Sequence, residues 1–150
     1  MGMNKREISH WSGQFFAAAE LTRRGYRVSF TLGNAPSTDL VAVSARGYQF
    51  RIEVKTVRKH GRSWLVRNVP KDSDLYYVLV VSRPTDDFPE PEYWILTARQ
   101  VRMILRKRER DGTSPQIFIG DISHRKSHWD MLPDYEDTIK LGESARIAVS

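Results

Sequence analysis

The sequence contains no cysteine, and no apolar segment approaches the ~20 residues that a membrane-spanning helix requires. The missing thiols exclude disulfide bonds and thiolate metal sites, which fits a reducing compartment. The first residues, MGMNKREISHW, lack the apolar stretch of a secretory signal. We therefore expect a cytoplasmic protein that has no membrane partner.

Acidic residues are scarcer than basic ones. The 18 Asp and Glu residues face 24 Lys and Arg residues, which gives a formal net charge of +6. Arginine is the commoner cation, as suits bidentate recognition of phosphate, so the charge predicts a polyanionic partner such as DNA. A length of 150 residues predicts one domain over 1–150, and the weak periodicity of residues 136–150 predicts a partly flexible tail.

Several catalytic motifs are also missing. The chain has no phosphate-binding glycine loop of the Walker type, and its Ser, His and Asp residues follow no order typical of a hydrolase triad. His124 and His128 have the spacing of neighbours on a helix, but no third ligand accompanies them. A surface or phosphate-contacting role is preferred for this pair over a metal site.

The apolar patterns predict an α/β fold. The predicted elements are a helix at 9–24, strands at 26–32, 39–44, 48–57, 64–67, 75–82 and 93–96, a helix from 97 to 110, and an edge strand at 116–122. Ser9 or Ser12 is expected to cap the first helix. Its predicted buried face comprises Trp11, Phe15, Ala18 and Ala19.

The strand at 48–57, YQFRIEVKTV, alternates apolar and polar residues, so Glu53 and Lys55 share one of its faces. A three-residue loop that ends at Gly47 joins it to the preceding strand. If Ser44 pairs with Tyr48, then Asp39 lies directly opposite Glu53, whereas a four-residue loop would shift this register. The alternative is an ordinary solvent-facing strand with surface ion pairs.

Two facing carboxylates repel each other unless a cation lies between them. Mg²⁺ typically takes one or two carboxylates together with waters and phosphate oxygens. Lys55 adds a positive charge on the same face, where a phosphate would approach. Asp39 and Glu53 are therefore a candidate Mg²⁺ site, and Mn²⁺ is a possible substitute.

This order of elements resembles the core of the PD-(D/E)XK nucleases. The similar segments are GQFFAAAELTRRGYRV, then TDL, then IEVKT. The resemblance implies a restriction-endonuclease-like fold with a central mixed sheet of four to five strands flanked by helices. It also implies that Asp39, Glu53 and the Val54 carbonyl bind the metal, and that Lys55 orients or activates the attacking water.

The chain departs from the family pattern at two positions. Thr38 replaces the proline that precedes the first acid, at a position without chemistry. Gln14 stands where many members carry a glutamate on the first helix, and its amide oxygen could hold a metal-bound water. Glu20, a possible accessory acid, lies about 240° around the helix from Gln14, so both cannot face the site.

A basic segment follows the proposed active strand. Its candidate nucleic-acid-binding residues are Arg58, Lys59, His60, Arg62 and Arg67. An exposed, solubilising loop is the alternative interpretation.

Together these features predict a metal-dependent DNA endonuclease, acting as a homodimer or higher homo-oligomer because so small a chain covers few phosphates of a duplex. Two alternatives stay open. One is a nucleic-acid-binding module on the same fold with weakened or lost catalysis. The other is a protein-interaction subunit with negligible affinity for DNA.

Overall fold

The computed structural model describes residues 1–59, 61, 63–72, 74–83, 87 and 89–149, with the backbone alone over 145–149. Four α-helices and seven strands follow one another along the chain, with two short 3₁₀ turns after α3. They are α1 (Lys5–Arg23), β1 (Arg27–Phe30), β2 (Leu40–Val43), β3 (Gln49–Val57), β4 (Trp64–Leu65), β5 (Leu75–Val81), β6 (Glu92–Thr97), α2 (Ala98–Arg110), β7 (Gln116–Ile117), α3 (Ile119–Ile122) and α4 (Tyr135–Val149).

Five strands form one mixed sheet in the order β1-β2-β3-β5-β6, and β4 pairs with β7 in a separate two-stranded ribbon. Only the β3–β5 pair of the five-stranded sheet is parallel. The β2–β3 hairpin has the predicted register, since Leu40 pairs with Ile52 and Val43 pairs with Gln49. Gly47 adopts a positive φ of 85° at the end of the loop, as this turn requires. The mixed five-stranded sheet confirms the predicted fold class.

The sheet is covered on both faces. Val78 and Val80 of β5 belong to the core under α1, whereas Leu79 and Val81 belong to the core under α2. Alternate residues of a strand point to opposite faces, so β5 is buried on both sides, as its apolar sequence predicts. On β3, the apolar residues Phe50, Ile52 and Val54 all face the α1 core.

The first helix begins earlier than its sequence pattern suggests. Asn4 caps it by accepting the backbone N–H groups of Arg6 and Glu7, while the Glu7 carboxylate accepts the Asn4 N–H at 2.8 Å. The prediction of Ser9 or Ser12 as the cap was therefore wrong. This Asn-x-x-Glu capping box adds a full turn of helix.

The predicted buried face of α1 was also largely wrong. Its buried residues are Gly13, Gln14, Ala17, Ala18 and Leu21, whereas the side chain of Phe15 is exposed. Small residues face the sheet because the helix backbone lies against β3. A methyl group on Gly13 would lie 1.7 Å from Thr56 Oγ1, so this approach excludes larger side chains.

Two further segments differ from expectation. Only Gln116–Ile117 of the predicted edge strand pairs as a strand, because α3 follows at once. The expected tail contains helix α4. Its start is attached through polar groups: Ser44 Oγ donates to Asp134, and the Ala45 N–H donates to Thr138 Oγ1 at 3.0 Å. Apolar periodicity could not indicate such contacts.

No helix within the described residues combines the length and the apolar character that crossing a bilayer requires.

Candidate active site

Asp39 lies immediately before β2, at the edge of β3. Its backbone N–H donates to the Ile52 carbonyl at 2.9 Å, which extends the hairpin by one residue. Its carboxylate bridges two elements, because Oδ2 accepts the Val54 N–H at 2.7 Å and Oδ1 accepts Gln14 Nε2 at 3.3 Å. The chain thus fixes one acid between the central strand and α1.

Glu53 and Lys55 follow on β3. The Lys55 ammonium lies 2.8 Å from Glu53 Oε1. Glu53 is only 9% exposed, and its second oxygen, Oε2, is buried without a hydrogen bond of good geometry in the described part of the chain. Tyr77 of β5 is its direct neighbour in the parallel pair. Burial and the nearby Glu53 carboxylate together raise the pKa of the Tyr77 hydroxyl, so Glu53 and Tyr77 are close to each other. The interpretation of this strand face as solvent-facing is therefore wrong at Glu53.

Burial raises the pKa of Asp39 above its ordinary value of 3.8. The hydrogen bond from the Val54 N–H opposes this effect, as does the positive potential of His10 and, to a smaller extent, of Lys55. The charge of Glu53 acts in the same direction as burial. Glu53 is therefore close enough to disfavour the ionised form of Asp39, as the predicted register requires.

Helix α1 contributes Gln14 and His10. Gln14 is 3% exposed, and its amide nitrogen lies 2.8 Å from His10 Nε2 as well as 3.3 Å from Asp39 Oδ1. The amide nitrogen of Gln14 contacts Asp39, and the suggestion that its amide oxygen holds a metal-bound water stays a prediction. Gln14 acts as a donor that holds Asp39, and His10 stands one turn away on the same side of the helix.

An open cleft of about 970 Å³ leads to these groups. Both carboxylates line it, along with Lys55 and the first turns of α1. Its basic lining residues are Lys5, Arg6, His10, Lys55, Arg58 and Lys59. The two acids thus lie in a cleft whose other charged groups are cations, the arrangement that attracts a polyanion.

The predicted nucleic-acid-binding residues fall into three groups. Arg58 and Lys59 line the cleft, whereas Arg67 is exposed and does not. His60 and Arg62 lie outside the described residues. Lys5 and Arg6 were missed because the helix was predicted to begin too late; the Asn4-x-x-Glu7 capping box was the signal that could have placed them on α1. His10 lies within the predicted helix but was not singled out as a site residue.

Glu20 does not take part in the site. Its carboxylate forms ion pairs with Arg23 and Arg24, one helical turn further on, and it is absent from the cleft lining. The suggestion of an accessory acid at this position was therefore wrong. Gln14 contacts Asp39 while Glu20 pairs with Arg24, so the two side chains do not both face the site, as the helix geometry predicts.

The donor set of the cleft consists of oxygens. Within the described residues no group of three or more His, Cys, Asp or Glu side chains could hold a metal, so the candidates are two carboxylates and one carbonyl. The Val54 N–H points at Asp39, and the N–H and C=O of one strand residue share a direction, so the Val54 carbonyl faces the same edge. Two carboxylates, one with an unpartnered buried oxygen, fit a hard cation such as Mg²⁺.

The chain shares its fold with a solved bacterial homing endonuclease. That protein, I-Ssp6803I, superposes with a TM-score of 0.54 at 15% sequence identity, over 96% of this chain and 98% of the other. No protein-family model matches the sequence, and no curated protein matches it. At this identity the likeness concerns the fold.

Proposed function

We propose that this chain is a divalent-metal-dependent DNA endonuclease of the PD-(D/E)XK class, which hydrolyses a phosphodiester bond by attack of an activated water. One observation carries the proposal: Asp39 and Glu53, with Lys55 beside them, lie in one open cleft that is rimmed by cations. The fold of the bacterial homing endonuclease supports the same reaction.

Each residue has a distinct role in this proposal. Asp39, Glu53 and the Val54 carbonyl would hold Mg²⁺, with Mn²⁺ as a substitute, and the bound cation would stabilise negative charge on the phosphodiester oxygens. Lys55 would orient the attacking water and offset charge in the transition state. Gln14 positions Asp39 through its amide nitrogen.

The proposed substrate is DNA, bound through its phosphates. Lys5 and Arg6 on α1 and Arg58 and Lys59 after β3 form the basic rim of the cleft, so a strand passing over the two acids would meet cations from both elements. The described part of the chain offers one site that holds both acids. Cutting both strands of a duplex would therefore require a homodimer or a higher homo-oligomer.

A nicking assay on supercoiled plasmid tests the proposal. Wild type should nick DNA in Mg²⁺ or Mn²⁺ and be inactive in a chelator, and Asp39→Asn and Lys55→Ala should each lose at least about 100-fold in rate, as expected for removing a group that stabilises the transition state. Lys71→Ala, which removes an exposed lysine away from the cleft, is the matched control. Equal cleavage by all four proteins would refute the assignment of the site.

A second candidate function is a DNA-binding module without cleavage. It is favoured by Gln14, which presents a donor where an acid is expected, and by the Lys55 ion pair at one oxygen of Glu53. In that case the protein should bind DNA in a salt-sensitive manner without metal-dependent nicking. Gln14→Glu then becomes informative, because nicking that appears only in this variant would show that catalysis was lost at this position.

A further inference from the structure

Helix α2 carries an unusual charge distribution that the cleft does not explain. Its 13 residues, ARQVRMILRKRER, include six cations and a single acid, Glu109. Two of the cations are bound within the protein: Arg102 donates to the Pro70 carbonyl, and Arg108 pairs with Asp121. The other four are exposed and form no ion pair within the described residues; they are Arg99, Arg106, Lys107 and Arg110, here called the basic row.

The basic row is nearly straight. At 100° per residue, Arg106 and Arg110 each lie within about 20° of Arg99 around the helix axis, and Lys107 flanks them. At 1.5 Å per residue the row is about 16 Å long, comparable to about five phosphate steps of one DNA strand along the helix axis. Met103, which is 60% exposed, lies between the cations.

This charge pattern disfavours the isolated helix. Arg106 repels Arg102 and Arg110 at i,i+4 spacing, and each such like-charge pair costs a few tenths of a kcal/mol, about 0.2–0.5. Arg99 stands in the first turn, which contains no acid, and there the helix dipole disfavours a cation. The dipole accounts for Lys107 and Arg110 near the C-terminus but not for Arg99. A polyanionic partner would remove the repulsion along the whole row.

The surface is separate from the cleft. Trp64 and Leu65 of β4 line the cleft, and β4 pairs with β7, against which α2 packs. None of the four basic-row residues lines the cleft. A nucleic acid held by the cleft alone would therefore leave these cations unused.

We propose that the basic row is a second binding surface for the phosphate backbone of nucleic acid. The apolar side of α2 supports nucleic acid over a lipid surface as the partner, because Val101, Ile104 and Leu105 are packed in the core and cannot insert into a bilayer. The surface recognises phosphates without reading bases, and it adds affinity for DNA that extends beyond the cleft.

The test is equilibrium binding to a fluorescent duplex of about 40 base pairs in a chelator, so that cleavage plays no part, over roughly 50–300 mM NaCl. The variant changes all four basic-row residues to glutamine. Each lost phosphate contact reduces the slope of log K against log salt by about 0.9, so we expect a slope lower by about 2–4 and a 10- to 100-fold weaker affinity near 100 mM salt.

A matched control removes the same charge elsewhere, by changing to glutamine the exposed residues Arg27, Lys71, Arg83 and Lys140. For this control, the slope of log K against log salt should differ from the wild-type slope by no more than about 0.9, the value for one phosphate contact. Equal losses in the two variants would overturn the proposal, because net charge would then explain the binding. If the fourfold variant does not fold, Arg99→Gln with Arg110→Gln should give about half the effect, and an unchanged slope in that pair also overturns it.

Vesicles that contain phosphatidylserine serve as the competing probe. Three results together would show that the partner is a membrane surface and that the nucleic-acid assignment is wrong. Wild type would bind the vesicles, the basic-row variant would not bind them, and the slope of log K against log salt for DNA would be the same in both proteins. The proposed endonuclease activity can fail independently, since a protein that never nicks plasmid can still show the slope change.

Discussion

Gly13→Ala tests the close approach of α1 to β3 that brings Gln14 to Asp39. A methyl group at Gly13 would lie 1.7 Å from Thr56 Oγ1 and 2.9 Å from Thr56 Cβ. Ordinary contact begins near 3.4 Å, so the helix or Thr56 would have to give way by about 1.7 Å. Rotating Thr56 relieves only part of the clash, because its Cβ does not move and stays 2.9 Å from the added methyl group.

Two opposing effects set the magnitude. Overpacking of this kind costs about 1–3 kcal/mol, while alanine in place of a mid-helix glycine contributes about 1 kcal/mol of helix stability. We expect the free energy of unfolding to fall by up to about 2 kcal/mol in urea titrations followed by circular dichroism. The displaced helix would also separate Gln14 from Asp39, so plasmid nicking should fall as well.

Two comparisons make the measurement decisive. Gly120→Ala places a methyl group in open space on a short helix, so it should leave stability unchanged or raise it by less than about 1 kcal/mol. In a Thr56→Ala background the remaining clash is the 2.9 Å contact with Cβ, so Gly13→Ala should cost less there, with a coupling of about 1 kcal/mol. A Gly13→Ala protein as stable and as active as wild type would refute this account of the packing.

Two further predictions concern ion pairs of β3. Lys55→Met leaves Glu53 buried without its cation and should cost about 1–2 kcal/mol of stability. Adding Glu53→Gln to the same protein should restore this stability. A double variant that stays as unstable as Lys55→Met would show that the ion pair is not the cause of the loss. Arg51 lowers the pKa of Asp74, so their pair stabilises the fold above the ordinary aspartate pKa of 3.8 and this contribution is lost as pH falls below it. Asp74→Asn should therefore be about 1 kcal/mol less stable than wild type at pH 6, and this difference should shrink as the pH falls below 3.8. A difference that does not depend on pH would contradict the mechanism.

The sheet and the acids could be predicted because their signals are local. The alternation of YQFRIEVKTV and the short loop that ends at Gly47 set the hairpin register within about twenty residues of chain. Once that register holds, Asp39 and Glu53 must be neighbours. The continuous apolar run of β5 likewise indicates burial on both faces without reference to any other element.

The packing of the helices could not be predicted in the same way. Hydrophobicity favours Trp11 and Phe15 as the buried face of α1, yet contact with β3 requires Gly13, Ala17 and Ala18 there, because only small side chains allow the backbones to approach. Helix α4 depends on a similar approach. A methyl group on Gly142 would lie 2.8 Å from the Arg23 carbonyl, and no apolar periodicity signals such a contact.

Glu53 carries an energetic cost at the cleft. A carboxylate oxygen buried without a partner costs about 1–3 kcal/mol, and an apolar side chain at the same place on β3 would avoid that cost. Burial also disfavours the charged form of the neighbouring Asp39. Lys55 offsets only part of this penalty, since it contacts one of the two Glu53 oxygens. Such an arrangement opposes stability, and it supports the proposal that both acids share a bound cation.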